Sequence, residues 1–280
     1  MLPFYDRTSP TYIIAEASGN HGQSLDRAYA LVEAAAWAGA DAIKFQTFTA
    51  EEIAAEGVQI LRGFDAEHDA WIDSLMPPAQ TLRDLFQHGG LPRAWHSELQ
   101  QHAHKCNIDF LSTPFSVEAA RFLIEEIGVP VLKIASGDIT CTPLLDYAAQ
   151  QDIPVILSTG GANMDEIDCA VARLRRTLRA RRLALLHCRS VYPCPLASVN
   201  LRSISYLGTL YPLAVPGWSD HTTSHTVPAL AVCAGARIIE KHLCPEDSTG
   251  IDAGHSLTPE QFQKMVQGIR QTEAILGRYE

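Results

Sequence analysis

Charged residues appear where a buried strand should have none. The stretch RIIEKHLC, residues 237–244, sets Glu240, Lys241 and His242 between Ile239 and Leu243. Burying an unpaired ion costs several kcal/mol even after relaxation. Such residues persist only where they pair, hold a ligand or face water. Strand alternation puts Glu240 and His242 on one side and Lys241 on the other. The anomaly recurs along the chain. Lys44 and Gln46 lie in DAIKFQTF (41–48), Lys133 in VPVLKIASGD (129–138), Glu16 in YIIAEAS (12–18) and His187 in LALLHCRS (183–190). The chain has five lysines, and three of them fall in such runs. A solvated charged face would not produce that placement. A site built on strand ends would.

The residue types point to an anion and a metal. Lysines near serine, threonine and glycine turns suit phosphate and carboxylate groups. Ser112-Thr-Pro114, Ser136-Gly-Asp138, Ser158-Thr-Gly160 and Ser219-Asp-His221 are such turns. His221 and His242 end neighbouring runs. With Asp220, Glu240 and Asp252 nearby they suit Mn²⁺, Co²⁺, Fe²⁺ or Zn²⁺. Anion, metal and carboxylates together suggest carbon–oxygen or carbon–carbon bond chemistry on a phosphorylated small acid. Each residue also has a purely structural reading. Lys44 and Lys133 could pair with Glu16 and Asp138 in a buried ion network. His187 could simply pack. The arginine-rich RLRRTLRARR (173–182) reads as the solvated end of a helix, where cations complement the dipole.

The elements that must position these residues alternate. Strand-like runs occupy 12–18, 41–48, 109–115, 131–138, 154–160, 183–190, 214–221 and 238–244. Helical patterns at 24–40, 92–106, 116–128, 142–152, 164–181, 226–236 and 258–277 lie between or after them. In the first, Ser24 can cap the N-terminus, Ala28, Leu31, Val32, Ala35 and Ala36 form an apolar stripe, and Gly39 ends the helix. Eight strands alternating with helices predict a single α/β domain over residues 1–280, a (β/α)8 TIM barrel. A doubly wound open sheet is the alternative. The polar residues above fall at the C-terminal strand ends, where such barrels carry their active sites. The second and third strands are separated by an elaborated connection at about 49–108, of a length that tends to be functional.

Global properties narrow the function classes. The chain has 280 residues and a net charge of −10, which argues against general nucleic-acid binding. Seven cysteines without a C-x-x-C pair read as small core residues in a reducing cytoplasm. The start, MLPFYDRTSP, lacks the basic and apolar regions of a signal peptide. No apolar run has the length of a membrane span.

Taken together, the motifs resemble those of the sialic acid synthase family, which makes nonulosonic acids. The carriers are IIAEASGNHGQSLDRA (13–28), AGADAIKFQTFTAEEI (38–53), FLSTPFS (110–116), LKIASGD (132–138), PVILSTGGA (154–162), LLHCRSVYPCP (185–195), GWSDHT (217–222) and IIEKH (238–242). SGNHGQSLDRA, DSLMPPAQTLRDLF (73–86) and PRAWHSEL (92–99) look most similar to pseudaminic acid synthases. The resemblance implies a (β/α)8 barrel, a divalent metal (Mn²⁺ or Mg²⁺) and condensation of phosphoenolpyruvate with an open-chain acetamido sugar aldehyde, releasing phosphate. By motif, His221 and His242 match the metal ligands. Lys44, Thr113, Lys133, Ser136, Ser158 and Ser219 match the phosphoenolpyruvate contacts. Glu16, Gln46, Tyr192 and Asp252 match residues around the sugar and the metal's water. Glu16 and Asp138 are the general-base candidates. The resemblance also implies a homodimer and a small C-terminal antifreeze-like domain, whereas this sequence stops at Glu280, just after the last barrel helix. Asp138 stands where the family usually has Glu, and STGIDAGHS (248–256) departs from the pseudaminic pattern. Two rival functions keep the barrel: a phosphoenolpyruvate-dependent synthase with another aldehyde acceptor, and a catalytically silent barrel serving as a sugar-phosphate sensor or assembly partner.

Overall fold

A computed structural model of the chain describes residues 9–60, 79–176, 182–245 and 250–277. Parts of several expectations lie outside them: the middle of the 49–108 connection, the start of DSLMPPAQTLRDLF, the end of the 164–181 helical pattern with the arginine-rich stretch after Arg176, and the start of STGIDAGHS (248–256).

Among the described residues the strands are β1 Tyr12–Glu16, β2 Ala42–Thr47, β3 Asp109–Pro114, β4 Leu132–Ile134, β5 Val155–Ser158, β6 Leu183–Cys188, β7 Val215–Asp220 and β8 Ile238–His242. They form one parallel sheet in the order β3-β2-β1-β8-β7-β6-β5-β4. β3 and β4, the ends of that order, lie against each other. The sheet is thus a barrel, closed except for a seam between β3 and β4 that carries no ladder. The open-sheet alternative is set aside.

Helices cover the outside: α1 Leu25–Ala38, α2 Ala50–Ile53, α3 Leu82–Phe86, α4 His96–Lys105, α5 Val117–Arg121, α6 Thr142–Gln150, α7 Met164–Leu174, α8 Arg202–Leu210, α9 Val227–Cys233 and α10 Pro259–Leu276. α1 begins and ends as its sequence predicts. Ser24 accepts a hydrogen bond from the Arg27 N–H, and Gly39 closes the helix at φ 86°, a left-handed conformation that favours glycine. α10 opens on Thr258 and Pro259 with a full capping box to Gln261. α8 has no counterpart in the sequence reading. Its N-cap is Leu201, without a side-chain cap, so no start signal marks it. The predicted strands overrun at their C-terminal ends. Ser136–Asp138, for example, is a 3-10 turn rather than strand.

Strand alternation sorts side chains into two layers. One face of the strands joins the helices in a large apolar layer with Ile13, Ala15, Ile43, Phe45, Phe110, Leu157 and Ile239. The other face fills the barrel with Tyr12, Ile14, Ala42, Leu111, Val131, Ile156, Ala184, Leu186, Val215 and Ile238. Two residues further along β1 to β5 and β8 the inward positions turn polar, at Glu16, Lys44, Thr113, Lys133, Ser158 and Glu240, and Ser219 does the same four residues after Val215 on β7. The apolar plug therefore ends where the polar ring begins. No helix among the described residues is long and apolar enough to cross a membrane.

Candidate active site

A cavity of about 710 Å³ opens above the apolar plug. That volume suits a small metabolite pair. Strand register sets its floor. Glu16 is paired with Lys44 on β2 and with His242 on β8, so all three lie at one height. Lys44 and Lys133 are each only 3% exposed, and Glu16 1%.

These ions hold one another. The Lys44 ammonium lies 2.5 Å from Glu16 Oε2 and 3.7 Å from Glu240 Oε1. It also donates to Thr113 Oγ1 at 2.9 Å. Lys133 lies 3.8 Å from the same Glu240 oxygen. Ser219 donates to Glu240 at 3.2 Å. Gln46 donates to Glu16 at 3.1 Å and to Ser18 at 2.9 Å. Burial raises the pKa of Glu16 to about 7, against the pull of Lys44 and with help from Glu240. Burial also acts on Glu240, but Lys133 and Lys44 outweigh it and keep its pKa below the ordinary value. Burial pulls the Lys133 pKa down.

Beside Lys133 the wall is made of hydroxyls and a glycine. Ser136 Oγ accepts from the Gly160 N–H at 2.9 Å. A Cβ on Gly160 would fall 2.4 Å from Ser190 Oγ, 2.9 Å from Cys188 Sγ and 3.0 Å from Ser136 Oγ. The absence of a Cβ lets these three side chains close in on the Gly160 backbone. Ser158 Oγ is buried in the wall without a hydrogen-bond partner, and so is Asp138 Oδ2. Burial raises the Asp138 pKa to about 6, with Lys133 opposing.

The opposite wall is imidazole. The rings of His221 and His242 have centroids 5.4 Å apart. Tyr192, on the loop after β6, lies 4.1 Å from the His221 ring. The Nδ1–H of His221 donates to the Arg189 carbonyl at 2.9 Å, which leaves Nε2 as an acceptor. Burial holds His221 at a pKa of about 4 and His242 well below its ordinary value, so both rings are neutral. His242 Nδ1 is buried without a partner. Asp252 accepts a short hydrogen bond from Ser18. A buried neutral imidazole with a free nitrogen beside a carboxylate is a donor set that fits a divalent cation.

A model of the NeuB family matches residues 31–280. The chain belongs to the NeuB family. It is 38% identical to N,N'-diacetyllegionaminic acid synthase of Legionella pneumophila over 95% of this chain and 73% of that protein. It is 34% identical to pseudaminic acid synthase of Helicobacter pylori, over 97% and 77%. The crystal structure of N-acetylneuraminic acid synthetase from Leptospira borgpetersenii superposes with a TM-score of 0.84 at 36% identity, covering 97% of this chain and 87% of that one. Identity is thus higher to the legionaminic than to the pseudaminic enzyme, and it does not by itself select an acceptor.

In this NeuB-family chain every residue matched to a substrate, metal or general-base role lines this cavity: Glu16, Lys44, Gln46, Thr113, Lys133, Ser136, Asp138, Ser158, Tyr192, Ser219, His221, His242 and Asp252. Three polar strand residues do not. Lys241 faces outward and pairs with Asp220 at 2.9 Å, both fully buried. Asp220, expected near the metal, is therefore occupied on the far side of its strand. His187 also faces outward, its Nε2 2.8 Å from the Val199 carbonyl, as its packing alternative requires. The expected ion network is present for Lys44 with Glu16, while Lys133 turns to Glu240 rather than Asp138. Glu240 was expected beside the metal rather than between the lysines, and His255 was missed as a site member. Glu240 is the shared partner of both lysines, and strand alternation alone puts it on the inward side with His242. His255 packs 4.5 Å from the His242 ring, and its signal was a histidine three residues after Asp252.

Proposed function

We propose that this chain condenses phosphoenolpyruvate with an open-chain acetamido sugar aldehyde to a nonulosonic acid and releases inorganic phosphate. The observation that carries the reading is the pair of buried lysines, Lys44 on β2 and Lys133 on β4, which share the Glu240 carboxylate in a cavity whose other wall is imidazole. Glu16 and Glu240 offset the burial of these two cations in the empty site, and an anionic ligand can share them. Phosphoenolpyruvate brings two anionic groups on one small frame. The names of the relatives, synthases of legionaminic, pseudaminic and neuraminic acids, support the product class.

In this reading Lys44 with Thr113, and Lys133 with Ser136, Ser158 and Ser219, hold the carboxylate and phosphate. When these groups bind, Glu240 yields part of its hold on both lysines. His221 and His242 hold a divalent metal, Mn²⁺ or Mg²⁺ by family resemblance. What a bound metal supplies is Lewis-acid polarisation of the aldehyde oxygen. Carbon 3 of the enolpyruvate attacks the aldehyde carbon and forms the new bond. Water adds to carbon 2, and the tetrahedral product of that addition expels phosphate. Glu16 is assigned the proton of this water, because it stands between the lysine side and the imidazole side of the floor. Its pKa near 7 suits a base working at neutral pH. Gln46 orients Glu16, and Asp138, with an unpaired oxygen, takes a hydroxyl of the acceptor. Tyr192 and Asp252 border the acceptor on the imidazole side.

The test is phosphate release from phosphoenolpyruvate with Mn²⁺. The acceptors are N-acetylmannosamine, the 2,4-diacetamido-2,4,6-trideoxy sugars and arabinose 5-phosphate. Release with an acetamido sugar, abolished by EDTA and by His221→Ala, is expected. Release only with arabinose 5-phosphate would move the reading to another acceptor class. Absence of phosphoenolpyruvate binding would overturn it.

A further inference from the structure

Three donor groups, His242, Asp252 and His255, have ligand atoms within 4.8 Å of one another. They come from different parts of the fold. His242 ends β8, while Asp252 precedes and His255 ends a 3-10 turn, Ala253–His255, in the loop that follows. His255 is 6% exposed, and its Nε2 is buried without a hydrogen-bond partner. That nitrogen lies 3.7 Å from Asp252 Oδ1, too far for a hydrogen bond and close enough to share an ion. His242 contributes a second buried nitrogen without a partner. The rings of His242 and His255 stand edge to face, 4.5 Å apart, with the His221 ring 6.0 Å from His255. Buried polar atoms in proteins are nearly always satisfied. Two orphaned imidazole nitrogens around one carboxylate are what a cation site looks like before its ion is placed.

We propose that His255 is a metal ligand, joining His242 and Asp252, and that it shifts metal preference toward imidazole-loving ions. The inference rests on the metal-dependent reading above and adds a ligand to it. The motif match assigned two imidazoles, His221 and His242. A third imidazole changes the chemistry of the site. Carboxylate and water ligands suit Mg²⁺ and Mn²⁺, whereas imidazole suits Zn²⁺, Co²⁺ and Fe²⁺. A donor set of several imidazoles and one carboxylate should therefore bind Co²⁺ and Zn²⁺ far more tightly than Mg²⁺.

A structural histidine would pack against Tyr192, whose ring lies 5.0 Å away, and would not touch the ion. Co²⁺ titration of the metal-free full chain, followed by visible absorption, separates the two. His255→Phe keeps an aromatic ring against Tyr192 and removes the donor. His255→Gly leaves a hole that free imidazole can fill. The expected result is Co²⁺ affinity at least tenfold weaker in both variants. The ligand-field bands should also shift, and added imidazole should restore bands and affinity to His255→Gly. Wild-type affinity and spectrum in a folded His255→Phe would overturn the assignment and leave the two-histidine metal reading intact. Weaker binding with an unchanged spectrum and no rescue would also overturn it, since that is the mark of a positioning residue. No Co²⁺ or Zn²⁺ uptake by the wild type would sink both this assignment and the metal-dependent reading.

Discussion

At the residue scale, space matters as much as charge. Gly160 lacks the one carbon that would collide with Ser190, Cys188 and Ser136, and its N–H already serves Ser136. Gly137, on the same rim, has nothing within 4 Å of a Cβ. Two alanine substitutions in one site should then differ sharply. Gly160→Ala is expected to weaken binding of inorganic phosphate or phosphoenolpyruvate at least tenfold, measured by calorimetry. Gly137→Ala should leave it within about twofold. Equal effects would mean that the wall at Gly160 does not receive the anion. Glu240 shows the same economy in charge. One carboxylate oxygen bridges two buried lysines from different strands, Lys44 at 3.7 Å and Lys133 at 3.8 Å.

At the element scale, the outward faces of the strands carry a second set of polar groups with a structural task. Lys241 on β8 and Asp220 on β7 pair beneath the helices, with Thr222 closing the cluster. Removing one partner of such a pair strands the other ion. Lys241→Met should cost about 3–5 kcal/mol in urea unfolding. Lys241→Met with Asp220→Leu should recover much of that loss. A cost no larger for the single variant than for the double one would show that the pair is not what stabilises this layer. His96, at the start of α4, is fully buried and bridges β2 through Thr47 Oγ1 at 2.7 Å and the Pro92 carbonyl at 3.1 Å. Burial lowers its pKa from 6.5 to about 4. The folded state therefore binds fewer protons than the unfolded chain between those two values. The contribution is complete above pH 6.5 and is lost as pH falls toward 4, by up to about 3 kcal/mol. His96→Gln removes the titration. Wild type should lose stability relative to this variant between pH 7 and pH 4, and parallel pH curves would count against it.

At the scale of the whole molecule, the sequence was legible wherever burial and polarity conflicted. Lys44, Lys133, Glu16 and His242 stand out because apolar neighbours surround them, and the barrel brings all four to one floor. The βα rhythm was legible because period-two and period-3.6 patterns alternate with clear caps, as at Ser24 and Thr258. What escaped had no local signal. α8 begins without a capping side chain. The ends of the strands dissolve into Ser-Gly turns that read as strand. His255 sits in the loop after β8, and only the fold-back of that loop, where Leu243 bridges Leu257, brings it to the strand end. Lys241 and Asp220 carry the same local signature as the site residues, and only the direction of the pleat tells the two sets apart.

The seam between β3 and β4 has one further consequence. Thr113 lies on one lip of that gap and Lys133 on the other. A ligand gripped by both becomes a clasp across the one join the backbone leaves unfastened. The ring should then breathe in the empty protein and stiffen on occupancy. Hydrogen–deuterium exchange would register this as slower exchange at residues 111–113 and 132–134 when phosphoenolpyruvate is added, with little change on the laddered side at β6 and β7. Substrate, on this view, is the last fastener of the barrel that binds it.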